Sequence, residues 1–328
     1  MNDRTKFHLQ SVTFALLVLV LALISNSGDS AENAVIASAS PSLTATALAT
    51  VDSGQALSAD VKAPANEGRE PLDQTSEAVA EPSTQSFASA PLSVKAASAL
   101  IIELGDGAPL LEYRSEYRWP LASLTKLMTA LIAYDEIGPM QTITISAEAV
   151  ESEGAAGGFS PGEVFSTQDL VQAMITVSSN DAATAISEYL GHSRLVDLMQ
   201  QKAATLGMRD TTFIDATGLS FLNQSTVGDI ERLVTYVYHR YPEILAFAQP
   251  VSSSITEIRT GTKRLLGNVN QFAGNADFLG GKTGTTDESK QNLVSIFRHQ
   301  GGEFIIIVLG SEDRFGETTK LYNWLKAQ

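Results

Sequence analysis

From Val94 onward the apolar residues recur first at strand spacing, then at helix spacing, then at strand spacing again. Ala99 to Leu104 is a short apolar run, Gly105-Asp106-Gly107 has turn chemistry, and Leu110 to Tyr113 returns as a hairpin partner. Helices are predicted at Ser123 to Tyr134, at Thr167 to Val177 behind a Ser166 cap with Asp169 three residues on, and at Asp181 to Leu190 closed by Gly191. Two more run from Arg194 to Leu206 before Gly207 and from Thr226 to Tyr241 before Pro242. Phe278 to Thr286, Leu293 to Arg298 and Glu303 to Leu309 then read as strands, ahead of a last helix through Tyr322 and Trp324. Strands at both ends of a helical middle predict one α+β domain over residues 94–328, with a sheet that pairs its first and last segments.

The chain before this domain follows neither period. Arg4 and Lys6 precede an apolar run of 13 residues from Val12 to Ile24, and small residues Ser25, Ser27 and Gly28 follow. Residues 1–27 therefore read as an export segment. The run fits a signal peptide and falls short of the roughly 20 residues that span a bilayer, which favours cleavage. Phe7 and Leu9 extend it enough to make an uncleaved N-terminal membrane anchor the alternative. Residues 28–93 are rich in Ala, Ser, Thr and Pro, with Phe87 the only aromatic and nine acidic side chains against two basic ones, Lys62 and Arg69. Such a segment buries too little apolar surface to fold and self-repels, so it is expected to be a disordered acidic spacer.

Composition narrows the chemistry. The 328 residues contain no cysteine and four histidines, which excludes disulfide scaffolds, thiolate metal sites and cysteine nucleophiles. A formal net charge of −15 argues against a nucleic-acid partner, whose phosphates demand clustered Lys and Arg. HExxH does not occur, and His192, His239 and His299 read as surface or packing residues.

Hydroxyl nucleophiles remain. Ser123-Leu124-Thr125-Lys126 opens an apolar helix directly after Trp119-Pro120, and the i, i+3 spacing lets the Lys126 amine reach the Ser123 hydroxyl. A helix N-terminus also offers N–H groups to developing negative charge. Alone, Ser-x-x-Lys arises about once by chance in a chain of this length, with Ser123 merely an N-cap. Two further segments change the weight. Ser178-Ser179-Asn180 sits between two predicted helices, and Lys282-Thr283-Gly284 follows Gly280-Gly281 in a strand-like run.

In this order the three segments resemble the penicillin-recognising acyl-serine enzymes, whose triplets are SxxK, SxN or SDN, and KTG. Within that superfamily the chain is most similar to the low-molecular-mass penicillin-binding proteins, the serine D-alanyl-D-alanine carboxypeptidases. The resemblance covers about residues 97–325 and includes PLASLTKLMTAL, ITVSSNDAATAISEYL, LGMRDTTFIDATGL and GGKTGTTDESKQNLV. It implies an α+β fold, an antiparallel sheet flanked by helices with a mainly helical subdomain, as in β-lactamases and transpeptidases. It also implies that Ser123 attacks the penultimate D-Ala carbonyl of a peptidoglycan stem peptide and that Lys126 is its base. The charge of Lys126 would be suppressed by burial and by Lys282 as a second cation. Ser178 would relay a proton, Asn180 would bond Lys126 and the substrate backbone, and Ser179 would be a spacer.

Lys282, Thr283, Gly284 and Thr285 would bind substrate, the backbone N–H groups of Ser123 and Thr285 forming the oxyanion hole. Arg314 in SEDRF joins them for the terminal carboxylate, with an ordinary surface arginine as the alternative. No cofactor or metal is implied; β-lactams would be covalent inhibitors, and the enzyme would work on the periplasmic or extracellular side of a bacterial envelope. Many members carry a second β-rich domain and a C-terminal anchor, which the sequence lacks after Gln328, so any tether is expected at the N-terminus with the spacer supplying reach. Three rivals stand beside this reading. A class A β-lactamase needs a deacylating glutamate, and Glu231 in DIERLV lies in a helical pattern without that setting. A D,D-endopeptidase would use the same groups on cross-links, and a non-catalytic envelope protein would keep the fold only for binding.

Overall fold

The computed structural model describes residues 92–328 apart from 106 and 155. The expected export segment and all but the last two residues of the expected spacer lie outside the described residues. In chain order, β1 (Ser98–Glu103) and β2 (Leu111–Tyr113) form the hairpin, and β3 (Trp119–Pro120) leads through a 3₁₀ turn at Ala122–Thr125 into helix α1 (Lys126–Glu136). There follow β4 (Thr142–Thr144), α2 (Ala147–Val150), β5 (Val164–Ser166), α3 (Thr167–Thr176), α4 (Asn180–Leu190) and α5 (His192–Thr205). The remainder comprises β6 (Gln224–Ser225), α6 (Val227–Arg240), α7 (Pro242–Ala246), β7 (Ser252–Thr256), β8 (Lys263–Gly267), β9 (Phe278–Thr286), β10 (Lys290–His299), β11 (Gly302–Ser311) and α8 (Arg314–Lys326).

The main sheet is antiparallel, in the order β2-β1-β11-β10-β9. The first and last segments therefore meet, Ser98 opposite Leu309 and Glu103 opposite Phe304. This is the α+β sheet expected from strands at both ends of the domain. Its middle strands do not alternate: Ile305 to Leu309 and Leu293, Val294, Ile296 and Phe297 are all buried. Such runs are the mark of a sheet covered on both faces. Helices α6 and α8 pack against it, the Tyr322 ring of α8 stacking on Phe297 with centroids 4.2 Å apart.

Helix α1 is the axis of the helical part. Every residue from Lys126 to Tyr134 is buried, and α3, α4, α5 and α6 surround it. A helix apolar on all sides has to lie inside. Helix α3 starts behind the expected cap, Ser166 Oγ accepting from Asp169 N at 3.0 Å, and Thr226, expected as the first residue of α6, caps that helix instead, its Oγ1 accepting from Asp229 N at 3.2 Å. Ser123 departs from expectation, lying in the 3₁₀ turn ahead of α1 and not in the α-helix itself. The short pairings β3–β6, β4–β5 and β7–β8 were not expected, because segments such as Thr142–Thr144 and Ser252–Thr256 carry little apolar alternation to announce them. No helix among the described residues is long and apolar enough to cross a membrane.

Candidate active site

Ser123 is partly exposed on a turn clamped between two glycines. Ala122, just before it, has φ +47°, a left-handed conformation that costs an L-residue energy and persists only where neighbours enforce it. A Cβ on Gly218 would stand 1.9 Å from Ala122 O, and one on Gly284 would stand 2.8 Å from Leu121 O. The Gly218 loop and strand β9 thus approach the turn more closely than any side chain would allow.

Lys126 projects back from the first turn of α1, with Nζ 2.9 Å from Ser123 Oγ and donating to Thr217 O at 2.6 Å. It is fully buried. Burial pulls its pKa down from 10.5 to about 7, against the opposing pull of Asp215 and Asp181. Desolvation is the dominant cause. The influence of the pair shows at Lys282, whose pKa is held well below the ordinary lysine value by burial, then by Lys126 and Arg314.

Ser178 and Lys282 form the opposite wall. Ser178 closes α3 in a left-handed conformation, φ +59°, and accepts a hydrogen bond from Lys282 Nζ at 3.0 Å. Lys282 Nζ also donates to Thr283 O at 2.8 Å. Ser179 does more than space its neighbours, since its Oγ caps α4 by accepting from Ala182 N at 3.0 Å. Asn180 differs from expectation: its Nδ2 donates to Glu153 O at 2.6 Å and not to Lys126, while its Oδ1 is buried with no partner.

Lys282, Thr283, Gly284 and Thr285 lie on β9, an edge strand of the main sheet. The first three are buried and Thr285 is exposed. An unpaired strand edge is a template for an extended peptide. Arg314, at the start of α8, donates from Nη1 to Gly284 O at 2.9 Å and to Thr285 Oγ1. It is therefore tied to the KTG strand and is not a free surface arginine. Its Nε is buried without a partner.

Asp215 and Thr217 are in the site but had no role assigned from sequence. Asp215 accepts from Thr217 N at 2.7 Å, Thr217 Oγ1 at 2.8 Å, Gly218 N at 2.7 Å, Ser220 N at 2.9 Å and Asn223 Nδ2 at 2.7 Å. Burial pushes its carboxyl up, but the bonds from Thr217, Ser220 and Gly218 outweigh that and leave it below the usual range. The carboxylate shapes the loop whose Thr217 carbonyl holds Lys126. Asp-Ala-Thr-Gly, a carboxylate two and three residues ahead of N–H donors, was the available signal. His192 bonds Ser187 Oγ at 2.8 Å, and Glu231 accepts from Thr235 on α6 at 2.8 Å.

Residues 84–313 match the model of the peptidase S11, D-alanyl-D-alanine carboxypeptidase, family. The chain belongs to this family. The D-alanyl-D-alanine carboxypeptidase DacC of Escherichia coli is 31% identical over 250 residues, covering 71% of this chain and 61% of that protein. A D-alanyl-D-alanine endopeptidase of Pseudomonas aeruginosa is 28% identical over 238 residues, covering 70% of this chain and 76% of its own length. Among solved structures, penicillin-binding protein D2 of Listeria monocytogenes in its cefotaxime-bound form superposes with a TM-score of 0.62 at 29% identity, over 72% of this chain and 98% of that one. The chain thus spans about three fifths of the carboxypeptidase relative and nearly all of the Listeria chain.

Proposed function

We propose that the protein is an exported serine D,D-carboxypeptidase that removes the terminal D-Ala from peptidoglycan stem peptides through an acyl-enzyme on Ser123. The observation that carries this reading is the Lys126 amine, fully buried and 2.9 Å from the Ser123 hydroxyl. With its pKa near 7, a large fraction of Lys126 is neutral at neutral pH and able to take the Oγ proton. Oγ then bonds the penultimate D-Ala carbonyl carbon, the C–N bond breaks, and the departing amine takes a proton relayed through Ser178. Water hydrolyses the acyl-enzyme.

The backbone N–H groups of Ser123 and Thr285 are assigned to the oxyanion, and the edge of β9 to the extended peptide. Lys282, Thr283 and Arg314 are assigned to its terminal carboxylate. Asn180, its Oδ1 free of intramolecular bonds, is assigned to the substrate backbone. β-Lactams would acylate the same serine, in line with the cefotaxime-bound Listeria relative. The site of action would be the outer side of the cytoplasmic membrane, with residues 1–27 as signal or anchor, 28–93 as spacer and 94–328 as the catalytic domain.

A second reading, D,D-endopeptidase, draws support from the relative of that name, which matches over 76% of its length. Fluorescent penicillin tests the nucleophile: wild type takes one label per chain and Ser123→Ala takes none, whereas an unlabelled, folded wild type overturns the assignment. Product analysis separates the two peptidases. Free D-alanine from pentapeptide supports the carboxypeptidase, and monomers from cross-linked dimers support the endopeptidase.

A further inference from the structure

Strand β10 carries a buried amide that the chemistry above does not use. At Asn292 the β10–β11 register slips: Gln291 pairs with Ser311 but Leu293 with Val308, so β11 holds one more residue than β10 across the step. Bulges of this kind free a backbone group and re-aim a side chain. Here the freed group is Gly310 N–H, which donates to Asn292 Oδ1 at 2.8 Å. The amide nitrogen of Asn292 turns the other way and donates to Pro120 O at 2.8 Å and Leu121 O at 3.0 Å. Both amide hydrogens and the oxygen are engaged, and the residue is completely buried.

The two carbonyls it holds are those just before Ala122, the residue forced into φ +47°, and Ser123. Leu121 O is also where β9 presses in through Gly284. Two other bonds secure the flanks of the same segment, Trp119 Nε1 to Ser289 O at 2.8 Å and Leu121 N to Asn223 O at 2.8 Å. Among the described residues, Asn292 alone reaches two consecutive carbonyls of the turn from the sheet that carries Lys282, so it sets the turn against β9.

We propose that Asn292 is a positioning residue for the reaction of Ser123: by fixing the Pro120 and Leu121 carbonyls it aims Ser123 Oγ at Lys126 Nζ and at the carbonyl carbon presented along β9. This rests on the acyl-serine reading. Misplacement of a reacting atom by about 1 Å costs about 100-fold in rate. A residue that only stabilised the fold would act differently, reducing the number of competent sites and leaving the rate at each one unchanged.

The test is acylation of the full-length chain by fluorescent penicillin, with labelling stoichiometry and rate per labelled site measured separately. For Asn292→Ala we expect near-complete labelling, a rate per site about 100-fold lower, and an acid limb of the rate profile that stays where it is in wild type. Asn292→Asp carries the same test should the alanine variant not fold. It keeps the shape and the bond from Gly310 but faces a carboxylate oxygen toward two carbonyl oxygens, and the same loss of rate per site is expected. A per-site rate within about twofold of wild type in either folded variant overturns the role of Asn292. A folded wild type that takes no label overturns the acyl-serine reading, and this proposal with it.

Discussion

Replacing Lys126 by methionine separates the charge of the buried amine from its bulk. The folded chain holds this lysine at a pKa of about 7, against 10.5 for the ordinary side chain. Between those values the unfolded chain binds more protons than the folded one, so wild-type stability rises with pH over that window. At about 1.36 kcal/mol per unit, the gain between about pH 7 and about pH 9 is about 2 kcal/mol from this group. Methionine has no such dependence. Near pH 7 the variant escapes a desolvation cost of about 4 kcal/mol and loses about 1 to 3 kcal/mol through the orphaned Thr217 carbonyl. Lys126→Met is therefore expected to be the more stable chain near neutrality, with an advantage that shrinks by about 2 kcal/mol at pH 9. Relief of Lys282 from the Lys126 charge acts in the same direction, since it flattens the rise of the variant's stability with pH. Urea unfolding of both chains at the two pH values measures the difference, and a difference flat in pH would refute the argument that Lys126 is buried with a depressed pKa. The same variant should acylate with penicillin about 100- to 10,000-fold more slowly, the usual range for loss of a general base.

Two other outcomes follow from distances in the site. Gly218→Ala would place a Cβ 1.9 Å from Ala122 O at a residue with φ +87°, so a lowered thermal unfolding midpoint and loss of penicillin labelling are expected, and a variant with wild-type labelling would contradict the close approach. Arg314→Gln keeps a donor but removes the charge beside Gly284 and Thr285; a charge-assisted bond is worth about 1.5 to 3 kcal/mol, so KM for peptides ending in a free carboxylate should rise about 10- to 100-fold, with little change for the C-terminal amide.

The sequence alone was enough to locate the candidate groups along the chain. Ser123, Lys126, Ser178, Asn180 and Lys282 were legible because short triplets carry their own spacing, and the α+β order because the apolar period changes where strands give way to helices. The cap at Ser166 was legible for the same reason: a hydroxyl followed three residues later by an acidic residue is a local signal.

Tertiary structure decided what these residues become. The depressed pKa of Lys126 comes from the packing that buries it, and the Thr217 carbonyl it bonds lies 91 residues away in the chain. Ser178 meets Lys282 across a separation of 104 residues, and Asn292 reaches Leu121 across 171. No periodicity encodes such pairings, because desolvation and strain are properties of everything packed around a group. Thus the sequence determined which side chains are available for the proposed reaction, and the packed sheet and helices alone decided how Ser123 sits against Lys126 and how far that lysine is desolvated.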